Sequence, residues 1–205
     1  MPQDKKMNTT AVRTTFDGYL SICVGPMFSG KTKSLITRYQ QNAQLYPSKV
    51  QVVVNHVGDV RYGSDASRLT THDGYSLSCL TAVKLSDVVE TQSADVVLIN
   101  EAQFFEDLVP CVLHMVNTLG KEVYVSGLDG DFRHERFGTI LDLIPECDEV
   151  VKLRSVCHVC NHANAIFSQR VSGESEQVVI GSSNYMPLCR TCFLMQKDVL
   201  LTNDR

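Results

Sequence analysis

Apolar residues fall into short, β-branched runs that alternate with longer stretches of helical spacing. Residues 19–24 (YLSICV) read as a strand, and a glycine-rich turn follows them. Residues 31–45 carry the helical period and stop ahead of Pro47. Residues 50–54 (VQVVV) are continuous and β-branched, the texture of a strand covered on both faces. Residues 56–76 are rich in Gly, Ser, Asp and Thr and read as loop. A short helix is expected over residues 86–91 and a buried strand (VVLI) over 96–99. Residues 107–119 read as a helix that tolerates Pro110 in its first turn and ends at Gly120, and a further strand begins at 123–125. Strands separated by helices imply an α/β fold around a parallel sheet with right-handed crossovers.

The texture changes near residue 150, where short alternating runs and paired cysteines replace the long helices. The expected organisation is therefore a disordered polar arm over residues 1–18, an α/β domain over 19–150, a small second module over 151–193 and a tail over 194–205. A chain of 205 residues, 43% of them hydrophobic, can bury a core of that size. The net charge of -4 comes without a strongly basic block, which argues against a partner recognised through a phosphate backbone. The first residues are polar and lack a secretory apolar run, and no stretch approaches the roughly 20 apolar residues that cross a bilayer. The expectation is a cytoplasmic protein with no membrane and no nucleic-acid partner.

Residues Gly25, Pro26, Met27, Phe28, Ser29, Gly30, Lys31 and Thr32 match G-x-x-x-x-G-K-[ST] between an expected strand and an expected helix. Such a loop wraps phosphate oxygens with backbone N–H groups, and Gly30 lets the chain approach closely. The following helix aims the positive end of its dipole at the phosphates. Lys31 adds a full charge at the β- and γ-phosphates, and the Thr32 hydroxyl suits Mg²⁺. The run VVLIN then ends in Glu101, at the carboxyl end of a strand, where ligands gather in open α/β sheets. A carboxylate there can accept a proton from an attacking hydroxyl, although a solvated surface glutamate has the same local sequence.

Eight cysteines divide into two groups. Cys23, Cys79, Cys111 and Cys147 are scattered singly and are given no role. Cys157 with Cys160 and Cys189 with Cys192 form two C-x-x-C pairs, each able to set two sulfurs on one side of a knuckle. Together they complete a tetrahedral four-sulfur site, and thiolates select Zn²⁺ over Mg²⁺. A site filled by four cysteines has no open position and is structural. His158 and His162 are expected to be exposed neighbours. The small polar loop over residues 179–185 precedes the second pair, and a metal anchoring both of its flanks would position it over a planar ligand.

Read together, GPMFSGKT, THD at 71–73, INEAQFF at 99–105, LDGDF with FG at 128–138, and the two C-x-x-C pairs resemble the type II thymidine kinases of cells, poxviruses and bacteria. The resemblance covers roughly residues 19–193. It implies a P-loop NTPase parallel sheet of RecA-like type with a small C-terminal zinc-binding lasso domain. It also implies transfer of the ATP γ-phosphoryl group to the 5′-hydroxyl of thymidine, yielding dTMP for DNA precursor synthesis. On this resemblance Gly25, Met27, Phe28, Ser29, Gly30, Lys31, Thr32, Asp59 and Asn100 belong to the ATP and Mg²⁺ side. Glu101 is the base, and Arg61 supports the transferring phosphoryl charge. Met27, Phe104, Leu128, Phe132 and Phe137 form apolar walls suited to thymine, and Ser168, Val179, Gly181 and Tyr185 complete the nucleoside site. Phe105 is assigned to the core. A homotetramer and feedback inhibition by dTTP are further implications.

Three positions depart from the family pattern. Asn100 stands where Asp is usual, Asp131 where a smaller hydroxyl residue is familiar, and Ser168 where Thr is common. Loss of the charge at residue 100 predicts a weaker Mg²⁺ shell, so Asn100→Asp is expected to raise turnover. A catalytically weak nucleotide-binding regulator is the alternative function. A nucleic-acid-binding ribbon beside an ATPase core is a third reading, which the acidic balance disfavours.

Overall fold

A computed structural model describes residues 18–59, 67–71, 74–179 and 181–203. The expected arm apart from Gly18, the expected catalytic Arg61, two residues of THD and Ile180 of the lasso lie outside the described residues. In chain order the elements are β1 (Tyr19–Val24), α1 (Lys31–Leu45), β2 (Gln51–His56), β3 (Arg68–Thr70), β4 (Ser76–Ser78), β5 (Leu80–Ala82), α2 (Glu90–Ser93), β6 (Val96–Asn100), α3 (Leu108–Leu113), β7 (Glu122–Gly127), β8 (Glu149–Lys152), β9 (Phe167–Arg170), β10 (Tyr185–Leu188) and α4 (Arg190–Asn203). Six strands form one sheet in the order β5-β2-β6-β7-β1-β8, and every pairing within it is parallel. The pairs β3–β4 and β9–β10 are separate antiparallel hairpins.

Strand alternation sorts the core onto the two faces of the sheet. Leu20, Ile22, Val97, Ile99, Val123 and Val125 face Phe105, Leu108, Val112, Met115, Ile140 and Leu143. Val53, Val96, Leu98 and Tyr124 face Leu35 and Ile36 of α1. Each such side chain contributes about 1.5–3 kcal/mol when fully buried. Phe105 is 1% exposed, in the core as expected. Because all six strands run the same way, their carboxyl ends share one rim, and β1, β2, β6 and β7 lead there into the loops that carry the chemistry.

Three elements differ from the sequence reading. The expected helix over 107–119 is α-helical only through Leu113 and continues as a wider π turn from His114 to Thr118. That turn keeps the consecutive Met115 and Val116 both buried, and Gly120 ends it at φ 62°. Asp107 does not cap its own helix; its carboxylate accepts from Leu85 N (3.0 Å) and Ser86 N (2.9 Å) and caps the turn Leu85–Asp87 instead. Part of the loop expected over 56–76 is the β3–β4 hairpin, whose three-residue strands bury little beyond Leu69. Strand β8 leaves no alternating hydrophobic signal in the sequence because three of its four residues are exposed, yet it pairs with β1 and carries the main sheet to Lys152.

Gly138 adopts φ 61°, and a Cβ there would sit 2.1 Å from the Gln103 carbonyl oxygen. Gly138→Ala should therefore destabilise the protein by about 2 kcal/mol or more. Chemical denaturation of the variant measures this, and a midpoint equal to wild type would refute the close approach.

Candidate active site and metal centre

The turn after β1 forms the phosphate cradle. Gly30 caps α1 in the left-handed region (φ 84°, ψ 18°), and a Cβ on it would meet nothing, so backbone conformation is what calls for glycine here. Gly25 is needed for space, because its Cβ would come within 2.7 Å of the Leu153 carbonyl oxygen. Phe28 takes φ 62° without being glycine. Lys31 is 7% exposed and donates from Nζ to the Pro26 carbonyl at 2.7 Å, which folds it back over the loop. The first turn of α1 contains no acidic residue, so its positive end is not neutralised. Ser29 Oγ is buried without a hydrogen-bond partner inside the cradle. A buried lone hydroxyl, a helix N-terminus and a buried ammonium group together fit a polyphosphate.

Beyond the end of β6, Glu101 also takes a left-handed conformation (φ 51°, ψ 41°) and is 5% exposed. Such backbone strain persists where surrounding structure fixes it. Here the fixing group is Gln103. Its Nε2 donates to Glu101 Oε2 at 2.6 Å, and its Oε1 accepts from Leu128 N at 2.9 Å. Gly127 leaves room for this amide, since a Cβ there would lie 2.5 Å from Gln103 Oε1.

Asn100 lies behind Glu101 at 1% exposure. It stands in register with Asn55 of β2 and donates from Nδ2 to Asn55 Oδ1 at 2.9 Å. Asn55 Nδ2 in turn donates to Asp59 Oδ2 at 3.2 Å. A buried chain of two amides thus ends on a carboxylate at the rim. His56, next on β2, stacks on Phe104 (5.3 Å, 28°) and meets the edge of Phe105 (4.9 Å, 88°). Burial holds its imidazole below the usual range, against a backbone hydrogen bond with Val83 and the Asp59 charge, which act to raise it. The unprotonated ring accepts from Gly58 N at Nδ1 (3.0 Å), which orders the turn leading to Asp59.

These loops enclose a cleft of about 700 Å³, part of it open to solvent. Met27, Phe104, Leu128, Phe132, Phe137, Ser168, Val179, Gly181 and Tyr185, all expected around a nucleoside, line it together with Glu101 and Asp59. Phe104 and Phe137 meet edge to face at 5.3 Å. Ser168 also reaches the cradle, where its Oγ accepts from Met27 N at 2.9 Å. Phe28 faces another groove, beside Val156, His158 and Pro187, and Asn100 is not on the cleft wall. Asp131 does two jobs at 5% exposure. Oδ1 accepts from Arg133 N (2.8 Å) and Glu135 N (3.0 Å), and Oδ2 accepts from Gln177 Nε2 (2.9 Å). Gln103, Asn55, His56, Gln177 and Arg170 went unnoticed in the sequence, because amides and lone polar residues carry no spacing signal. Only Gln103 had a local hint, two residues from Glu101.

The four paired cysteines converge so that all four sulfurs lie within 4.8 Å of one another, and His158 and His162 are exposed outside the group. Cys189 N donates to Cys157 Sγ at 3.3 Å and Cys192 N to Cys189 Sγ at 3.4 Å, the backbone pattern of a metal knuckle. Burial pushes the Cys157 thiol up, but backbone N–H groups of Cys160, Cys189 and Val159 outweigh it and hold it at about 6. Cys192 is pushed up to about 12, chiefly by its hydrogen bond with Cys189 and by burial. One thiolate is thus favoured and a second strongly opposed, so four thiolates at this spacing call for a dication; the soft tetrahedral donor set fits Zn²⁺. Three of the lone cysteines differ: burial raises Cys23 and Cys147, and burial with Asp107 pushes Cys111 up to about 11. They are poor nucleophiles, in keeping with their lack of an assigned role.

The knuckles hold the base of the β9–β10 hairpin. His134, from the loop after β7, stacks on Phe167 (4.1 Å, 13°) and meets Phe193 (4.4 Å), which joins this module to the main sheet. Removing metal with a strong chelator should loosen the hairpin and cost nucleoside affinity at least tenfold. Titrating nucleoside into chelated and zinc-restored protein checks this, and equal affinities would refute the coupling.

A family model described as thymidine kinase matches residues 18–193. The chain is 38% identical over 187 residues to a thymidine kinase of Oryza sativa subsp. japonica, covering 88% of this chain and 68% of that one. It is 36% identical over 181 residues to the thymidine kinase of sheeppox virus (strain KS-1), covering 87% and 98%. It is 40% identical over 179 residues to that of vaccinia virus (strain Western Reserve), covering 86% and 97%.

Proposed function

We propose, from the premise that this chain belongs to the thymidine kinase family, that it transfers the γ-phosphoryl group of ATP to the 5′-hydroxyl of thymidine. The observation that carries this reading is the adjacency of two different surfaces at one rim of the sheet. A cradle built for phosphate meets an aromatic cleft of nucleoside size, and Glu101 is on the wall of that cleft.

The roles follow from the chemistry of each group. The backbone from Gly25 to Gly30, the α1 N-terminus and Lys31 hold the triphosphate and stabilise charge on the transferring group. Met27, Phe104, Leu128, Phe132 and Phe137 clasp the flat base, and the segment through Val179, Gly181 and Tyr185 covers it. That leaves the sugar directed at Glu101. The carboxylate removes the hydroxyl proton as the oxygen attacks phosphorus, and Gln103 keeps it aimed while that happens. Thr32 Oγ1 and the Asp59 carboxylate are hard donors suited to Mg²⁺, which when bound would neutralise phosphate charge, and Asn100 would act on that site only through Asn55 and Asp59. Arg61 retains its proposed place beside the transferring phosphoryl group.

The same cleft would admit the base and sugar of dTTP, whose phosphates would occupy the cradle, so feedback by that product class belongs to this reading. A homotetramer and a cytoplasmic location complete it; no helix among the described residues is long and apolar enough to cross a membrane.

Radiolabelled thymidine with ATP and Mg²⁺ should give dTMP. Glu101→Gln should lower kcat by about 10²- to 10⁴-fold while ATP affinity stays near wild type. Absence of dTMP from folded, zinc-loaded wild-type protein would overturn the assignment.

The buried amide pair alters what Asn100→Asp should do. A carboxylate at residue 100 would face Asn55 Oδ1, and Asn55 could donate to it only by withdrawing its donor from Asp59. The variant should lose about 1–3 kcal/mol of stability, so any gain in turnover from the added charge comes with a lower Tm. Thermal melting tests this, and an unchanged Tm would remove the argument.

A further inference from the structure

We propose that Arg170 is the positioning residue that shapes the covering wall of the nucleoside cleft, a role that rests on the nucleoside-kinase reading of that cleft. Arg170 is the last residue of β9 and stands in register with Tyr185 of β10. It is 6% exposed and is not itself on the cleft wall. Its Nη1 donates to the Glu174 carbonyl at 3.1 Å and also to the Glu176 carbonyl. Its Nη2 donates to the Gln177 carbonyl at 3.1 Å and to the Tyr185 hydroxyl. Its guanidinium carbon lies 3.8 Å from the centre of the Phe132 ring and 5.0 Å from that of Tyr185.

Three of the residues that Arg170 contacts also line the ligand space, and the Glu174 and Glu176 carbonyls belong to the loop that leads to it. Phe132, Gln177 and Tyr185 are cleft residues. The Tyr185 hydroxyl lies 3.3 Å from both the backbone nitrogen and the carbonyl oxygen of Val179, another cleft residue. Among the described residues, the segment between β9 and β10 has little apolar burial to shape it. Val171 and Val178 are exposed, and the residues between them are mostly polar. Such a segment gains little from apolar burial and must be ordered by polar contacts. Three of its carbonyls converge on one guanidinium, whose planar fork can satisfy them together while its face stacks on an aromatic ring. Lysine could supply the charge but neither the fork nor the stacking plane. Nε has no hydrogen-bond partner although it is buried. The direct contacts of the charge are carbonyl dipoles, a hydroxyl and ring faces, and the Glu174 carboxylate adds a further attraction, an arrangement that rewards the ordered loop.

The clasp between Asp131 and Gln177, and a hydrogen bond from Arg133 to the Ser175 carbonyl, tie the same segment to the loop after β7. They hold the segment at its edge, whereas Arg170 gathers its backbone from within. None of the hydrogen bonds and ring contacts of Arg170 ends on a cradle residue. Loss of Arg170 should therefore act on nucleoside and spare ATP, a separation that a general loss of folding would not produce.

The test uses full-length, zinc-loaded Arg170→Met and Arg170→Lys, with thymidine and ATP varied independently. Arg170→Met should raise the thymidine KM at least tenfold, with the ATP KM within twofold of wild type, zinc content unchanged and kcat within about fivefold. Arg170→Lys should recover only part of the loss. Hydrogen exchange of the amides at residues 174–179, which does not depend on turnover, should accelerate at least tenfold in Arg170→Met. If that variant does not fold, the same exchange measurement on Arg170→Lys decides. Faster exchange in a protein whose wild type makes no dTMP would support the clamp while defeating the kinase reading. An unchanged thymidine KM and unchanged exchange in an active enzyme would overturn the clamp. A parallel rise in both KM values with loss of zinc would also overturn it, by reducing Arg170 to general scaffold.

Discussion

Gln103 donates to Glu101 with one end of its amide and accepts from the Leu128 backbone with the other, at 2.6 and 2.9 Å. The ends of β6 and β7 are thereby fixed relative to each other through a side chain that is 3% exposed. Everything at the rim depends on that spacing. The β6 end carries the carboxylate in a left-handed conformation, and the β7 end carries the apolar wall that begins at Leu128. Gly127 and Gly138 are small so that this amide and its backbone can fit between them. A buried amide satisfied at both ends has one favourable orientation, because exchanging its oxygen and nitrogen would set oxygen against carboxylate and N–H against N–H. The geometry of the proposed base is thus specified by an interaction that is neither apolar packing nor charge pairing.

The second module reaches the same rim by a different route. Ser168 accepts from the Met27 backbone at 2.9 Å, and Ser155 donates to the Phe28 carbonyl at 3.0 Å, so the cradle is pinned from the side of the cysteine module as well. The His134–Phe167–Phe193 stack then ties the base of the hairpin to the loop after β7. A short hairpin on its own is marginal in water. Cross-linking its foot through four cysteines and stacking it on the main body lets its far end hold a defined shape over a ligand. The division of labour is physical: the cysteine cluster and the aromatic contacts fix where the hairpin stands, and the Arg170 contacts fix how its loop folds.

The sequence revealed what periodicity and motif can carry. Helix α1 begins and ends where its spacing and Pro47 place it, and the buried strands β1, β2, β6 and β7 were visible as β-branched runs. The glycine cradle, the carboxylate after β6 and the four cysteines follow from residue type at fixed spacing, and the apolar residues expected around a nucleoside all line one cleft. Strand β8 and the β3–β4 hairpin were not legible, because a short exposed edge has no hydrophobic alternation to read. The polar network was not legible either. Asn55 and Asn100 are far apart in the chain and meet only because β2 and β6 pair in register. Arg170 looks in the sequence like any surface cation, and only the folded loop makes it a buried hub. Side-chain hydrogen bonds between distant segments leave no local pattern, so they are the part of a site that sequence conceals.

Residue 100 shows how such a hidden contact changes the meaning of a substitution. Judged by the family pattern alone, an amide there is a lost charge. In the fold it is half of a neutral pair at 1% and 5% exposure, and its partner passes a hydrogen bond to Asp59 at the rim. A buried carboxylate is tolerable only with compensating donors or a cation, whereas two amides satisfy each other without either. Asn100 and Asn55 therefore have to be understood together: once one is an amide, an amide opposite it is the low-cost choice. The negative charges that remain nearby are carried by Asp59 and Glu101 on the cleft wall, and not by a residue sealed between two strands. The constraint that residue 100 obeys is thus the polarity of the sheet interior first, and the chemistry of the rim through it.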